Sequence, residues 1–149
     1  MVHICENGGA EAFDALTARL GGENGPLREA ADVAPPAAHA FVRLRTFRIR
    51  ASGTPVLVGD AGENLGYGGG INRWLRPLMA QDWPGLFILN PDAAPAPDAL
   101  AILKNYAEMN GKGMVTGRIT LADAPDRIQT RGLRWRPWMA SNEAVGRHA

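Results

Sequence analysis

Apolar and polar positions along the chain switch repeatedly between a strand-like and a helix-like period, and that switching predicts an α/β protein. Residues 2–5 form a short apolar run ending in Glu6, Asn7, Gly8 and Gly9, a turn composition. Phe13, Leu16 and Leu20 follow at helical spacing over residues 11–20, and residues 21–26, rich in glycine and closed by Pro26, end that helix. The chain therefore opens as strand, turn and helix. Residues 30–40, with Pro35 and Pro36 among alanines, form a connection.

Residues 41–50 interleave aromatic and β-branched residues with Arg43, Arg45, Arg48 and Arg50. This pattern predicts an exposed edge strand, because charges on an edge discourage aggregation. Residues 55–58 have the composition of a buried strand, and residues 59–76 run from it through a glycine-rich loop into the start of a helix. Residues 86–89 form a further apolar run that leads to Asp92. As a strand, it would deliver that acid to its carboxyl end, where open α/β sheets bind their ligands. Pro97 and Asp98 open a helix through Met109, with Leu100, Leu103, Tyr106 and Ala107 on one face, and Asn110 and Gly111 end it. Residues 114–121 and 127–138 have extended character, the latter carrying Trp135 and Trp138.

At 149 residues, 46% hydrophobic and 21% charged, the chain predicts a single globular domain over residues 1–149. A formal net charge of +1 excludes nucleic-acid binding driven by the overall field. The single Cys5 lies in an apolar run and predicts a buried thiol in a reducing compartment, the cytoplasm. No run approaches the ~20 apolar residues of a membrane span, which leaves a peripheral place at the inner face of a membrane open.

Candidate chemistry centres on the acid and the glycines. Asp92 is placed to hold a metal ion, and backbone amides near Gly66, Gly68, Gly69 and Gly70 can cradle phosphate or ribose. A dinucleotide fingerprint counted from Gly66 fails at Ile71, and no Gly-Lys-Ser/Thr ending makes a P-loop. His3, His39 and His148 have no metal-pair or relay spacing and read as structural or solvated, while Asp60 with Glu63 and Asp123 with Asp126 read as turn acids.

Three segments in order carry a resemblance: Cys5 to Gly9 with Glu6 and Asn7, Glu63 to Asn72 with its glycines, and the Leu-Asn-Pro-Asp run that ends in Asp92. Together they resemble family 2 glycosyltransferases of the inverting GT-A type, particularly the rhamnosyltransferase-like branch, across about residues 2–138. The resemblance implies a partial GT-A fold, Rossmann-like and three-layered, with a mostly parallel sheet. It implies a nucleoside diphosphate-sugar donor and a saccharide or lipid-linked acceptor of the cell-surface polysaccharide or glycolipid type. On this likeness Glu6 and Asn7 bind base or ribose, the backbone of Gly66, Gly68, Gly69 and Gly70 with Asn72 shapes the nucleotide pocket, and Arg73 balances phosphate charge. Asp92 corresponds to the closing acid of the metal-binding Asp-x-Asp motif and would hold Mg²⁺ or Mn²⁺.

The chain departs from the family pattern in Asn90, where the fuller motif has an acid, and in Glu6, where aspartate is more frequent. The family also has a strand and helix before the acid-Asn turn and an acidic catalytic base in its acceptor-binding part. The expectation is a truncated domain with an exposed N-terminal strand edge that invites oligomerisation, and with the catalytic base unlocated; Glu143 is not assigned to that role. The alternative is a non-catalytic remnant or interaction module that keeps the nucleotide-sugar-binding fold.

Overall fold

A computed structural model of the chain describes residues 1–36, 39–81 and 85–146, so His148 and part of the 30–40 connection lie outside the described residues. The chain divides into two compact units, Met1–Ile88 and Leu89–Ala149.

The first unit is built on a four-stranded sheet: β1 (Val2–Glu6), β2 (Leu27–Glu29), β3 (Arg43–Ile49) and β4 (Pro55–Asp60), in the spatial order β1-β4-β3-β2. Only β1 and β4 are parallel; β3 runs antiparallel to both β4 and β2. The sheet is thus mixed, and the expected mostly parallel arrangement is not what the chain adopts. The reason lies in the connections, because β2 and β3 and then β3 and β4 are joined without a crossover helix. Parallel neighbours need such a crossover and antiparallel ones do not.

Helix α1 (Ala10–Gly21) covers one face of this sheet and α2 (Gly66–Met79) the other. The period-2 geometry of β4 divides the core between them. Val56 and Val58 join Phe13, Leu27 and Phe47 on the α1 side, while Leu57 joins Phe41, Trp74 and Leu78 on the α2 side. Phe47, Leu57 and Val58 are wholly buried, and each such side chain contributes roughly 1.5–3 kcal/mol relative to leaving it exposed.

The arginine-rich strand was expected at an edge and instead lies inside the sheet, between β4 and β2. Its charges are matched by neighbouring elements. Arg43 bonds Asp60 and Asp14 at 2.9 Å each, Arg45 pairs with Glu29, Arg48 bonds Asp32 at 2.7 Å, and Arg50 just beyond the strand bonds the Gly25 carbonyl at 2.9 Å. Long arginine stems lie along apolar surface while their heads reach polar partners, with the guanidinium of Arg43 4.6 Å from the Phe13 ring centre. The edges of the sheet are β1 and the three-residue β2.

The second unit contains α3 (Ala99–Asn110) and two antiparallel pairs, β5 (Ile119–Thr120) with β6 (Ile128–Thr130) and β7 (Leu133–Arg136) with β8 (Ser141–Ala144). Gly111 ends α3 in the left-handed conformation at φ 57°, and the Lys112 amide closes the cap on the Ala107 carbonyl. Among the described hydrophobic residues of this unit only Ile128 is buried. Residues 86–89, expected as a strand, belong to no sheet and are exposed. Four apolar residues do not distinguish a strand from an extended connection, and Pro91 just after them has no backbone N–H to give a ladder. No helix among the described residues is long and apolar enough to cross a membrane.

Candidate functional site

Glu6 and Asp60 close the parallel register of β1 and β4, so the carboxyl ends of the two strands lie side by side. Each strand leads through a turn into a helix, β1 into α1 and β4 into α2. Neither N-cap residue, Gly9 or Leu65, makes a side-chain capping bond. Two sets of first-turn amides, each at the positive end of a helix dipole, therefore follow the same end of the sheet.

One side chain ties the two turns together. Asn7 donates from Nδ2 to the Gly66 carbonyl at 2.9 Å. That acceptor fixes the orientation of the amide, because a carbonyl cannot donate to the side-chain oxygen. Asn7 Oδ1 is consequently a buried acceptor with no hydrogen bond among the described residues. Glu6 folds back on its own turn, its Oε1 accepting from the Gly8 amide at 2.6 Å. In the other turn Asn64 Oδ1 accepts from the Gly66 amide at 2.9 Å.

The glycines expected in a loop form the first turn and a half of α2. Gly66 starts the helix at φ 66°, a left-handed value that disfavours other residues. Gly70 is a close-approach position, where a Cβ would lie 2.9 Å from Asn7 Nδ2 and 3.5 Å from Cys5 Sγ. A Cβ on Gly68 would meet nothing within 4 Å, which leaves its backbone face open. Asn72 is exposed on the same helix. Arg73 donates to the Ala40 carbonyl at 2.6 Å and lies 3.6 Å from Glu63, so its charge is partly matched within the fold.

Asp60 is the acid that sequence reasoning passed over as an ordinary turn residue. It is 2% exposed; one oxygen accepts from Arg43 Nε at 2.9 Å and the other from the Gly62 amide at 2.8 Å. Both oxygens are engaged, and the same guanidinium bonds Asp14 and the Ala10 carbonyl at the start of α1. Asp60 thus helps fix the turns and is not free to act as a base. Its ionic partner Arg43 is 17 residues away in sequence, and a turn bond to Gly62 is all that the local sequence marks. Burial pushes the Cys5 thiol up, opposed by the Arg73 charge and reinforced by Glu6 and Asp60, so it is a poor nucleophile at neutral pH.

Asp92 belongs to the second unit, in an exposed turn closed by the Ala93 amide on the Asn90 carbonyl at 3.1 Å. It follows an unpaired segment and so does not stand at the carboxyl end of a strand. Among the described residues no three His, Cys, Asp or Glu side chains come together as a metal site. Arg136 hydrogen-bonded to Glu143 holds that carboxyl below the usual range, which makes it a weaker base than a free glutamate.

An apolar hollow of about 250 Å³ lies at the other end of α2, lined by Leu75, Leu78, Met79, Gln81, Gly85 and Leu86. Its nearest lining residue on the helix, Leu75, lies five residues past Gly70, about 7.5 Å along the axis, and among the described residues no ionisable side chain lines it. The chemistry-bearing groups of the first unit are at the strand ends instead. No protein-family model matches the chain, and neither a curated protein nor a solved structure matches it.

Proposed function

We propose that the chain is a nucleotide-sugar-binding domain similar to family 2 glycosyltransferases, with the donor nucleotide held at the carboxyl ends of β1 and β4. The observation that carries the reading is the pair of helix N-termini at adjacent parallel strand ends, tied by Asn7 and bordered by the open backbone of Gly68. Helix amides suit a diphosphate, and the buried Oδ1 of Asn7 suits a ribose hydroxyl or a base N–H. Glu6 would accept a further hydroxyl by exchanging its bond to Gly8.

In this reading Asp92 supplies a carboxylate to Mg²⁺ or Mn²⁺, and Asn90 stands two residues before it. So short a donor set suits an ion that keeps several of its waters, as Mg²⁺ does. Transfer to an acceptor hydroxyl at a membrane surface, as in polysaccharide or glycolipid synthesis, further requires a base, and Asp60 and Glu143 are both engaged by arginines. A non-catalytic domain that retains donor binding is the second reading, favoured by the engagement of Asp60 and Glu143 with arginines.

Isothermal calorimetry with UDP and dTDP, in Mg²⁺, in Mn²⁺ and in EDTA, tests the proposal. Expected are saturable binding, weakening in EDTA, a large loss in Asn7→Ala, and loss of the metal dependence alone in Asp92→Ala. Absence of binding to either nucleotide in any of these buffers refutes it.

A further inference from the structure

The β7–β8 hairpin presents an apolar tip on a cationic stem. A 3₁₀ turn, Pro137–Met139, joins its strands, and Ala140 closes that turn in the left-handed region at φ 45°. A non-glycine residue in that conformation is uncommon. The turn leaves Trp138 92% and Met139 67% exposed. Behind the tip, Leu133 and Trp135 alternate with Arg134 and Arg136 along β7, so the apolar pair shares one face and the arginines the other. All four β7 residues are exposed. From residue 131 to 146 the charges are Arg131, Arg134 and Arg136 against Glu143, which pairs with Arg136. Arg131 and Arg134 make no ion pair within 4 Å among the described residues, Arg134 standing opposite Glu143 in the register and helping Arg136 to lower that carboxyl's pKa, whereas the arginines of β3 are matched by acids.

We propose that this hairpin is a membrane-docking element, with Trp138 and Met139 entering the interface of a bilayer and Arg131 and Arg134 contacting anionic headgroups. Tryptophan favours the headgroup level, and a basic residue near an anionic surface adds about 1 kcal/mol, or about fivefold in partitioning. The charge of the second unit is complementary to such a surface, with eight basic residues against six acidic, while the first unit has eight against nine. A two-residue convex tip is too small for a protein interface of about 800 Å² per partner. Methionine and leucine beside the tryptophans also do not form the stacking platform that single-stranded nucleic acid requires. The inference stands apart from donor binding, and failure of nucleotide binding leaves it untouched.

Co-sedimentation of the full chain with phosphatidylcholine vesicles, with and without 30% phosphatidylglycerol, tests it, alongside binding to a poly(dT) oligomer. Expected are pelleting with the anionic vesicles, at least tenfold weaker partitioning to phosphatidylcholine alone, and weakening in 0.5 M NaCl. Trp138→Ser with Met139→Ser should lower partitioning at least tenfold, and Arg131→Gln with Arg134→Gln by at least fivefold. Trp138→Phe should keep most of the binding. Far-UV circular dichroism checks that each variant is folded, and in wild-type protein tryptophan quenching by brominated lipid gives a readout independent of any variant. No pelleting with anionic vesicles, equal pelleting of the folded Trp138→Ser/Met139→Ser variant, or tighter binding to poly(dT) than to the vesicles would overturn the proposal.

Discussion

Two glycines two residues apart on α2 should respond in opposite directions to the same methyl group. Gly68 and Gly70 both lie in the helix and neither has a positive φ, so alanine fits the backbone at both. Replacing a helical glycine by alanine at a compatible site stabilises by about 0.4–1 kcal/mol, mainly by restricting the unfolded chain. At Gly68 nothing lies within 4 Å of the new Cβ, and the full gain is expected. At Gly70 the methyl would sit 2.9 Å from Asn7 Nδ2, so Asn7 must move and its 2.9 Å bond to Gly66 is stretched or lost. That bond is worth about 0.5–1.5 kcal/mol, and crowding a packed position costs about 1–3 kcal/mol. The net effect of Gly70→Ala is therefore a destabilisation of about 1–3 kcal/mol. Urea denaturation followed by circular dichroism measures both changes, with the slope of the transition checked for constancy. The same two proteins separate folding from binding. Gly68→Ala should gain stability yet lose nucleotide affinity, because its methyl covers open backbone beside the first-turn amides. A Gly68→Ala protein less stable than the parent would show that residues 66–70 are not helical and would refute the reasoning.

Two further outcomes follow from the packing of α2 on β1. Trp74 Nε1 donates to the Ile4 carbonyl at 3.0 Å, so Trp74→Phe, which keeps an aromatic ring beside Phe41, should lower stability by about 1–2 kcal/mol in urea titrations; an unchanged midpoint would count against that bond. His3 packs against Trp74, and burial together with the nearby α-amino charge lowers its pKa below 6.5. The unfolded chain then takes up more protons, so the stability from a neutral His3 is complete above pH 6.5 and is lost as pH falls from there through the depressed folded value. Urea midpoints at pH 8 and pH 5 should differ more in the parent than in His3→Gln, and equal pH dependence would refute the linkage.

The parts of the fold that were legible in sequence are those set by local periodicity. The strands at β1 and β4 and the helices α1 and α3 emerged from runs, spacing and glycine stops within one or two residues. The central placement of β3 did not. Its arginines look like solvent-facing charge until Asp14, Glu29, Asp32 and Asp60 arrive from other elements, and those meetings are tertiary. Three glycines in succession at residues 68–70 argued for a loop on propensity, and packing of Trp74 and Leu78 made the segment helical instead. At the candidate site, Glu6, Asn7 and the glycines were legible as turn chemistry. The bond between the two turns was not, because it joins positions 59 residues apart.

That single bond between Asn7 and Gly66 also bears on how tightly a ligand could be held. Two turns that moved independently would each lose freedom when a ligand bridged them, and the affinity would fall by that amount. Here the amide joins them during folding, so the loss of freedom is borne by the stability of the first unit before any ligand arrives. Asn7→Ala should accordingly weaken binding in two ways, through the lost ligand contact and through a larger entropic cost, and ligands that touch only one turn should still sense the other.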